Sequence, residues 1–120
     1  MTKIQEILDD LKNTVAVKGS LVMMHDGIVV AYALEDSLEP DVVSGLTSFL
    51  TSTVSRVLNE GGMGSFASFN IQSTHGKVLV IDMGEAYLVV LTNQFGKLNL
   101  SMPEIQEAAL QLRRLSRISL

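Results

Sequence analysis

Two apolar runs, KVLVID at 77–82 and AYLVVLTN at 86–93, are separated only by Met83, Gly84 and Glu85. Both are rich in β-branched residues and neither alternates strictly with polar ones. That is the pattern of strands covered on both faces. Three residues cannot carry a chain across a sheet to a parallel neighbour, so the two runs pair antiparallel. The chain must therefore build an antiparallel sheet with apolar material on each side.

The other segments extend this sheet. In SFASFNIQS, Ala67, Phe69 and Ile71 fall on one face and Ser68, Asn70 and Gln72 on the other, which predicts a half-buried strand. The THG that follows is a turn, so a three-stranded meander results. Upstream, SLVMMHDGIVVAYAL holds two apolar runs around Asp26-Gly27. Asp-Gly favours a tight hairpin turn because the central residues must take positive φ. Strands are predicted over about 20–25 and 28–34.

Three helices flank these strands. Thr2 and Gln5 have capping-box spacing, with Ile4, Ile7, Leu8, Leu11 and Val15 behind them at helical steps, predicting a helix over about 2–16. A second helix runs over about 40–59, with Pro40 in its first turn and Gly61-Gly62 as its stop. A third runs over about 102–118, with Ser101 and Glu104 as a second capping box, Pro103 in the first turn, and Ile105, Ala109, Leu112 and Leu115 on one side. The order α-β-β-α-β-β-β-α, without repeats, reads as one α+β domain over 1–120 with helices on the faces of an antiparallel sheet.

Apolar residues make up 47% of the chain and charged ones 18%, against about 25% charged in an average chain. Such a surface belongs in a membrane or against a partner. No run approaches the ~20 apolar residues of a spanning helix, so membrane insertion is not expected. The charged start MTKIQEILDDLK does not read as a signal peptide. Cysteine is absent, which leaves neither disulfides nor thiolate metal sites and points to a cytoplasmic location. A formal charge of −4 argues against nucleic acid as a partner. The one basic cluster, Arg113, Arg114 and Arg117, complements the negative end of a helix dipole.

The residues for a reaction are missing. No GxxxxGK[ST] phosphate loop occurs, and EGGMGS follows a helix and precedes a strand, the reverse of a dinucleotide-binding turn. His25 and His75 sit at turns without a second ligand at metal spacing. The acids Glu35, Asp36, Glu39 and Asp41 lack the glycine and terminal glutamate of an EF-hand loop. The chain is expected to be no enzyme and to hold no cofactor or metal.

The second helix poses the question that bears on function. Val42, Val43, Leu46, Phe49, Leu50, Val54, Val57 and Leu58 form its apolar side, while Ser44, Ser48, Thr51, Ser52 and Ser55 stand where a solvated helix would carry Lys and Glu. Arg56 is the only charge from Val42 to Leu58. The apolar arc, centred on Leu46, Leu50 and Val57, is expected to pack on the sheet. The small face, with Gly45, Ser48 and Ser52 opposite the core, is expected to meet a second helix. The bland alternative is a Ser/Thr-rich solvated face.

The element order, the strand pair SLVMMHDGIVVAYAL, the helix VVSGLTSFLTSTVSRVLNE and the meander KVLVIDMGEAYLVVLTN resemble the roadblock/dynein-light-chain domain family over essentially the whole chain. Profilin-like and longin-like domains share parts of this architecture. The resemblance implies a five-stranded antiparallel sheet in the order 2-1-5-4-3, with the first and third helices on one face and the second on the other. It implies a non-enzymatic module that pairs with itself or with a paralogous roadblock chain, helix 2 against helix 2 and strand 3 against strand 3. On this sequence that interface comprises Ser44, Gly45, Ser48, Thr51, Ser52 and Ser55 with Phe66, Ser68, Asn70 and Gln72, placing Ser48 near a two-fold axis. The resemblance further implies a small Ras-like GTPase as partner. The alternatives are a structural subunit of a motor or signalling complex and, ranked below it, a small-molecule sensor.

Overall fold

The computed structural model describes residues 3–14, 17–93 and 98–119. The elements are α1 (Lys3–Lys12), β1 (Val17–Met24), β2 (Val29–Ala33), α2 (Pro40–Glu60), β3 (Ser68–Gln72), β4 (Gly76–Asp82), β5 (Ala86–Asn93) and α3 (Leu98–Ser119). All neighbouring strands are antiparallel, and the sheet order is β2-β1-β5-β4-β3. The two runs between which only three residues intervene are β4 and β5, aligned from Gly76 opposite Asn93 to Asp82 opposite Tyr87. β5 is the central strand, buried from Ala86 to Val90.

The sheet divides the core in two. Leu8 and Leu11 of α1 and Ile105, Ala108 and Leu112 of α3 pack with Val22, Leu79, Leu88 and Val90 on one face. On the other face Leu21, Met23, Val80 and Val89 lie under Val43, Val54 and Leu58 of α2, and Phe66 and Phe69 close the remainder. Strand alternation explains the split, since Leu88 and Val90 point one way and Val89 the other.

Several element ends differ from the sequence reading. α1 stops at Lys12, where Asn13 and Thr14 donate to the Asp10 and Leu11 carbonyls in a closing turn; Thr2 of its expected cap lies outside the described residues. β1 begins at Val17, because β5 is long enough to pair with it there. β3 is confined to Ser68–Gln72, with Phe66 before it serving the core. α3 begins at Leu98, so Pro103 stands inside the helix and removes one backbone hydrogen bond; the side chain of Ser101 lies outside the described residues.

The Asp26-Gly27 hairpin has three loop residues. Met24 N–H donates to the Ile28 carbonyl at 2.8 Å, the Asp26 carboxylate accepts from Ile28 N–H at 3.1 Å, and Gly27 takes φ +97°. Three-residue hairpins commonly place glycine at the position of positive φ.

Leu88 is fully buried at the centre of the larger core cluster. Leu88→Ala is expected to cost about 2–5 kcal/mol in denaturant unfolding. A cost near zero would contradict a close-packed sheet–helix layer at this point.

Candidate interaction surface

The decisive geometry is the rotation of α2 about its own axis. Ser44, Thr47 and Thr51 are its buried residues. They lie on the side nearest the sheet, flanked by Val43, Val54 and Leu58. The opposite side carries Val42, Leu46, Phe49 and Val57, which are 57%, 62%, 70% and 62% exposed. The apolar arc therefore straddles the helix. One edge of it is tucked onto the sheet and the other is presented outward.

This corrects the expected orientation. Leu46 and Val57 do not pack on the sheet, and half-buried Leu50 lies between the two regions. Of the helix residues assigned to a partner face, Ser44 and Thr51 are buried within the protomer, and Ser48 and Ser55 are half-buried on that side; Gly45 and Ser52 are exposed. The physical reason is size. Short hydroxyl side chains let the helix backbone come close to a sheet, and two of them bond locally: Ser44 Oγ donates to the Asp41 carbonyl at 3.2 Å and Thr51 Oγ1 to the Ser48 carbonyl at 3.0 Å, while Ser48 Oγ is buried without a hydrogen-bond partner.

The floor beneath α2 fixes this rotation. The Tyr87 phenol lies against the Thr51 hydroxyl. Burial, and then the Asp82 carboxylate, hold the phenol above its ordinary pKa, while the Thr51 hydroxyl acts in the opposite direction. Tyr87 also stacks on Phe66, with centroids 5.8 Å apart, and on His25, at 4.4 Å. His25 Nε2 lies 3.3 Å from Asp82 Oδ1 and so joins the β1–β2 turn to the end of β4. At the same turn a Cβ on Gly27 would stand 2.8 Å from Ser48 Oγ. Glycine lets the turn take this positive φ and pass close beneath Ser48 without moving its hydroxyl.

The two sheet edges are unlike each other. β2 is blunted: its pairing with β1 shifts register between Val22 and Met23, and Gln5 Nε2 donates to the Tyr32 carbonyl at 2.9 Å. A bulge and a side-chain cap are both devices that discourage strand addition. β3 has an unshifted register against β4, Ser68 opposite Ile81 through Gln72 opposite Lys77. Ser68, Asn70 and Gln72 are exposed and share the face of Leu79, while Phe66 is buried in the core. Among the described residues no side chain caps the β3 edge.

The sequence signal for the outer stripe was present. Val42, Leu46, Phe49 and Val57 recur at three- and four-residue steps with Thr53 between the last two. With Val43, Val54 and Leu58 they make an arc about twice the ~100° that a helix on a single neighbour requires. Among the described residues no group of three His, Asp or Glu side chains could hold a metal ion, and no helix is long and apolar enough to cross a membrane.

A helix-covered antiparallel sheet with one open edge and an uncovered apolar helix stripe defines an α+β domain of the profilin-like class. The chain matches the Roadblock/LC7 domain over residues 3–92 and belongs to that family. Two uncharacterised proteins of Methanocaldococcus jannaschii are each 37% identical over 102 residues, covering 85% of this chain and 88% of theirs. Among solved structures the fold is similar to Myxococcus xanthus MglB, with a TM-score of 0.90 at 19% identity over 100% of this chain and 98% of that one. A Roadblock/LC7 domain from Streptomyces avermitilis gives 0.85 at 16% identity, covering 97% and 99%. Acanthamoeba castellanii profilin II gives 0.66 at 15%, covering 95% and 99%.

The Gly27–Ser48 approach supplies a test of the rotation. Gly27→Ala adds strain at positive φ, roughly 1–2 kcal/mol, together with the Ser48 contact. Removing the hydroxyl by Ser48→Ala should relieve the contact, giving a coupling of about 0.5–2 kcal/mol in a double-mutant cycle of unfolding free energies. Effects that add within ~0.3 kcal/mol would place Ser48 away from the turn.

Proposed function

We propose that this chain is a non-enzymatic interaction module that dimerises through α2 and β3 and, as a dimer, binds a small Ras-like GTPase in the cytoplasm. The observation that carries the reading is the uncovered stripe Val42, Leu46, Phe49 and Val57. Membership of the Roadblock/LC7 family supports it. So does the open β3 edge, through which two sheets can continue into one.

Fully burying one such side chain contributes about 1.5–3 kcal/mol. Four per protomer, partly buried already and counted twice across a two-fold axis, give a gross gain comparable to the ~4–15 kcal/mol cost of association. The proposed interface takes Gly45 and Ser52 beside the stripe, with Ser68, Asn70 and Gln72 on the β3 edge. The partner is a second copy or a paralogous roadblock chain. The GTPase is held by contact with its mobile loops. No arginine is assigned a catalytic part, since Arg56 stands near the end of α2 and Arg113 is hydrogen-bonded to the Met83 carbonyl.

Wild type is expected to sediment as a dimer at micromolar concentration. Phe49→Glu should sediment as a monomer with an unchanged far-ultraviolet spectrum, because the ring is 70% exposed in the protomer and such a change on a free surface costs only about 0.5 kcal/mol. An unchanged dimer mass for the variant, or a monomeric wild type, would remove the stripe from the interface. The GTPase reading is tested separately by affinity purification from the native cell. Recovery of a small GTPase with wild type and its loss with Phe49→Glu is the expected result; recovery of other roadblock chains alone contradicts it.

A further inference from the structure

We infer that a groove on the sheet face opposite α2 binds an amphipathic anion, an apolar chain ending in a carboxylate or comparable head group. The groove lies between α3 and the β3–β4 side of the sheet and has a volume of about 340 Å³. That falls within the ~300–1,000 Å³ of small-molecule sites. Leu79 and Met83 form its buried floor, and Met102 and Leu110 stand on the α3 side. Leu110 is 44% exposed although it sits beside this apolar surface. Two thioether side chains make a lining that adapts to the shape of a flexible chain.

The charge at the groove selects the head group. Arg113 lines it, and its Nε donates to the Met83 carbonyl at 3.0 Å, which anchors the planar guanidinium. No carboxylate lies within ion-pair distance of Arg113 among the described residues. Its terminal nitrogens have no other hydrogen-bond partner there, so an anchored cation beside an apolar trough lacks its counter-ion in a chain of net charge −4. A guanidinium is suited to a two-oxygen anion because its donors form a planar fork. Asp82 lines the same groove as a second, negative group that is not ion-paired with Arg113; its Oδ1 accepts from Gly84 N–H at 2.8 Å and lies 3.3 Å from His25 Nε2, so the head group must seat on the Arg113 side. The site draws on neither the α2 stripe nor a GTPase; Ser68 on its rim also belongs to the proposed β3 interface, and the test below reads ligand binding rather than oligomeric state.

Sodium octanoate is a direct probe, read by methyl NMR of methionine-labelled full-length protein. Met83 and Met102 report on the groove, and exposed Met24 and Met63 serve as controls outside it. Octanoate should shift the Met83 and Met102 methyls saturably and leave the controls in place. Arg113→Gln should weaken octanoate by about tenfold, the worth of one hydrogen bond to a charged group, while Arg113→Lys, which keeps the charge but loses the fork, should fall between wild type and Arg113→Gln. Neutral 1-octanol should shift the same two methyls equally in wild type and Arg113→Gln, which also shows that the variant keeps the groove. Octylammonium binding as tightly as octanoate, an unchanged octanoate affinity in Arg113→Gln, or the absence of a saturable shift would each overturn the assignment.

Discussion

The seating of α2 on the sheet is the contact on which the surface of this protein depends. A 21-residue helix with an apolar arc twice as wide as one neighbour needs has two ways to sit. It can turn the middle of the arc to the sheet, or only one edge. The hydroxyl row Ser44, Thr47 and Thr51 settles the matter. Those side chains are short, Ser44 and Thr51 bond locally to the helix backbone, and Thr51 lies against the Tyr87 phenol on β5. The consequence is an outward row of large apolar side chains on an otherwise ordinary surface helix. Isolated exposed apolar residues require no explanation, but a row of them along one helix does.

The two sheet edges show the same economy. One is closed by a bulge and by the Gln5 amide; the other carries exposed Ser68, Asn70, Ile71 and Gln72 and is straight in register. A sheet that guards one edge and leaves the other open can grow in one direction only. This asymmetry fits a closed pair of chains better than an open array, because pairing two identical edges across a two-fold axis uses both of them up. The α2 stripe and the β3 edge both suit the proposed pair through unrelated physical features, one apolar burial and the other backbone hydrogen bonding.

Much of the architecture was legible from residue order. The three-residue link between two β-branched runs determined the antiparallel centre, and alternation in 68–72 marked a strand with one polar side. The sheet order came from the family resemblance, since short links state which strands are adjacent but not how the hairpin joins the meander. The rotation of α2 was misread because a helical arc was assumed to face inward at its centre. Hydrophobic periodicity reports that a helix has an apolar side; it does not report how many neighbours share that side. Ser48 illustrates the error. Its position opposite the arc suggested an open face, whereas it abuts Gly27, a contact 21 positions away that no local pattern encodes. Two element ends also differ: β1 is lengthened by its partner β5, and α3 starts before its proline, which a helix tolerates at the cost of one backbone hydrogen bond.

The central claim is that α2 turns its hydroxyl row inward and offers Val42, Leu46, Phe49 and Val57 to an equivalent helix. Isotope-filtered NOE spectroscopy on a mixture of labelled and unlabelled protomers addresses it without any substitution. The expected result is a set of intermolecular contacts between the Phe49 ring and the Val42, Leu46 and Val57 methyls, with none from the Thr47 or Thr51 methyls. Intermolecular contacts arising from Thr47 and Thr51, or none from α2 at all, would contradict the account.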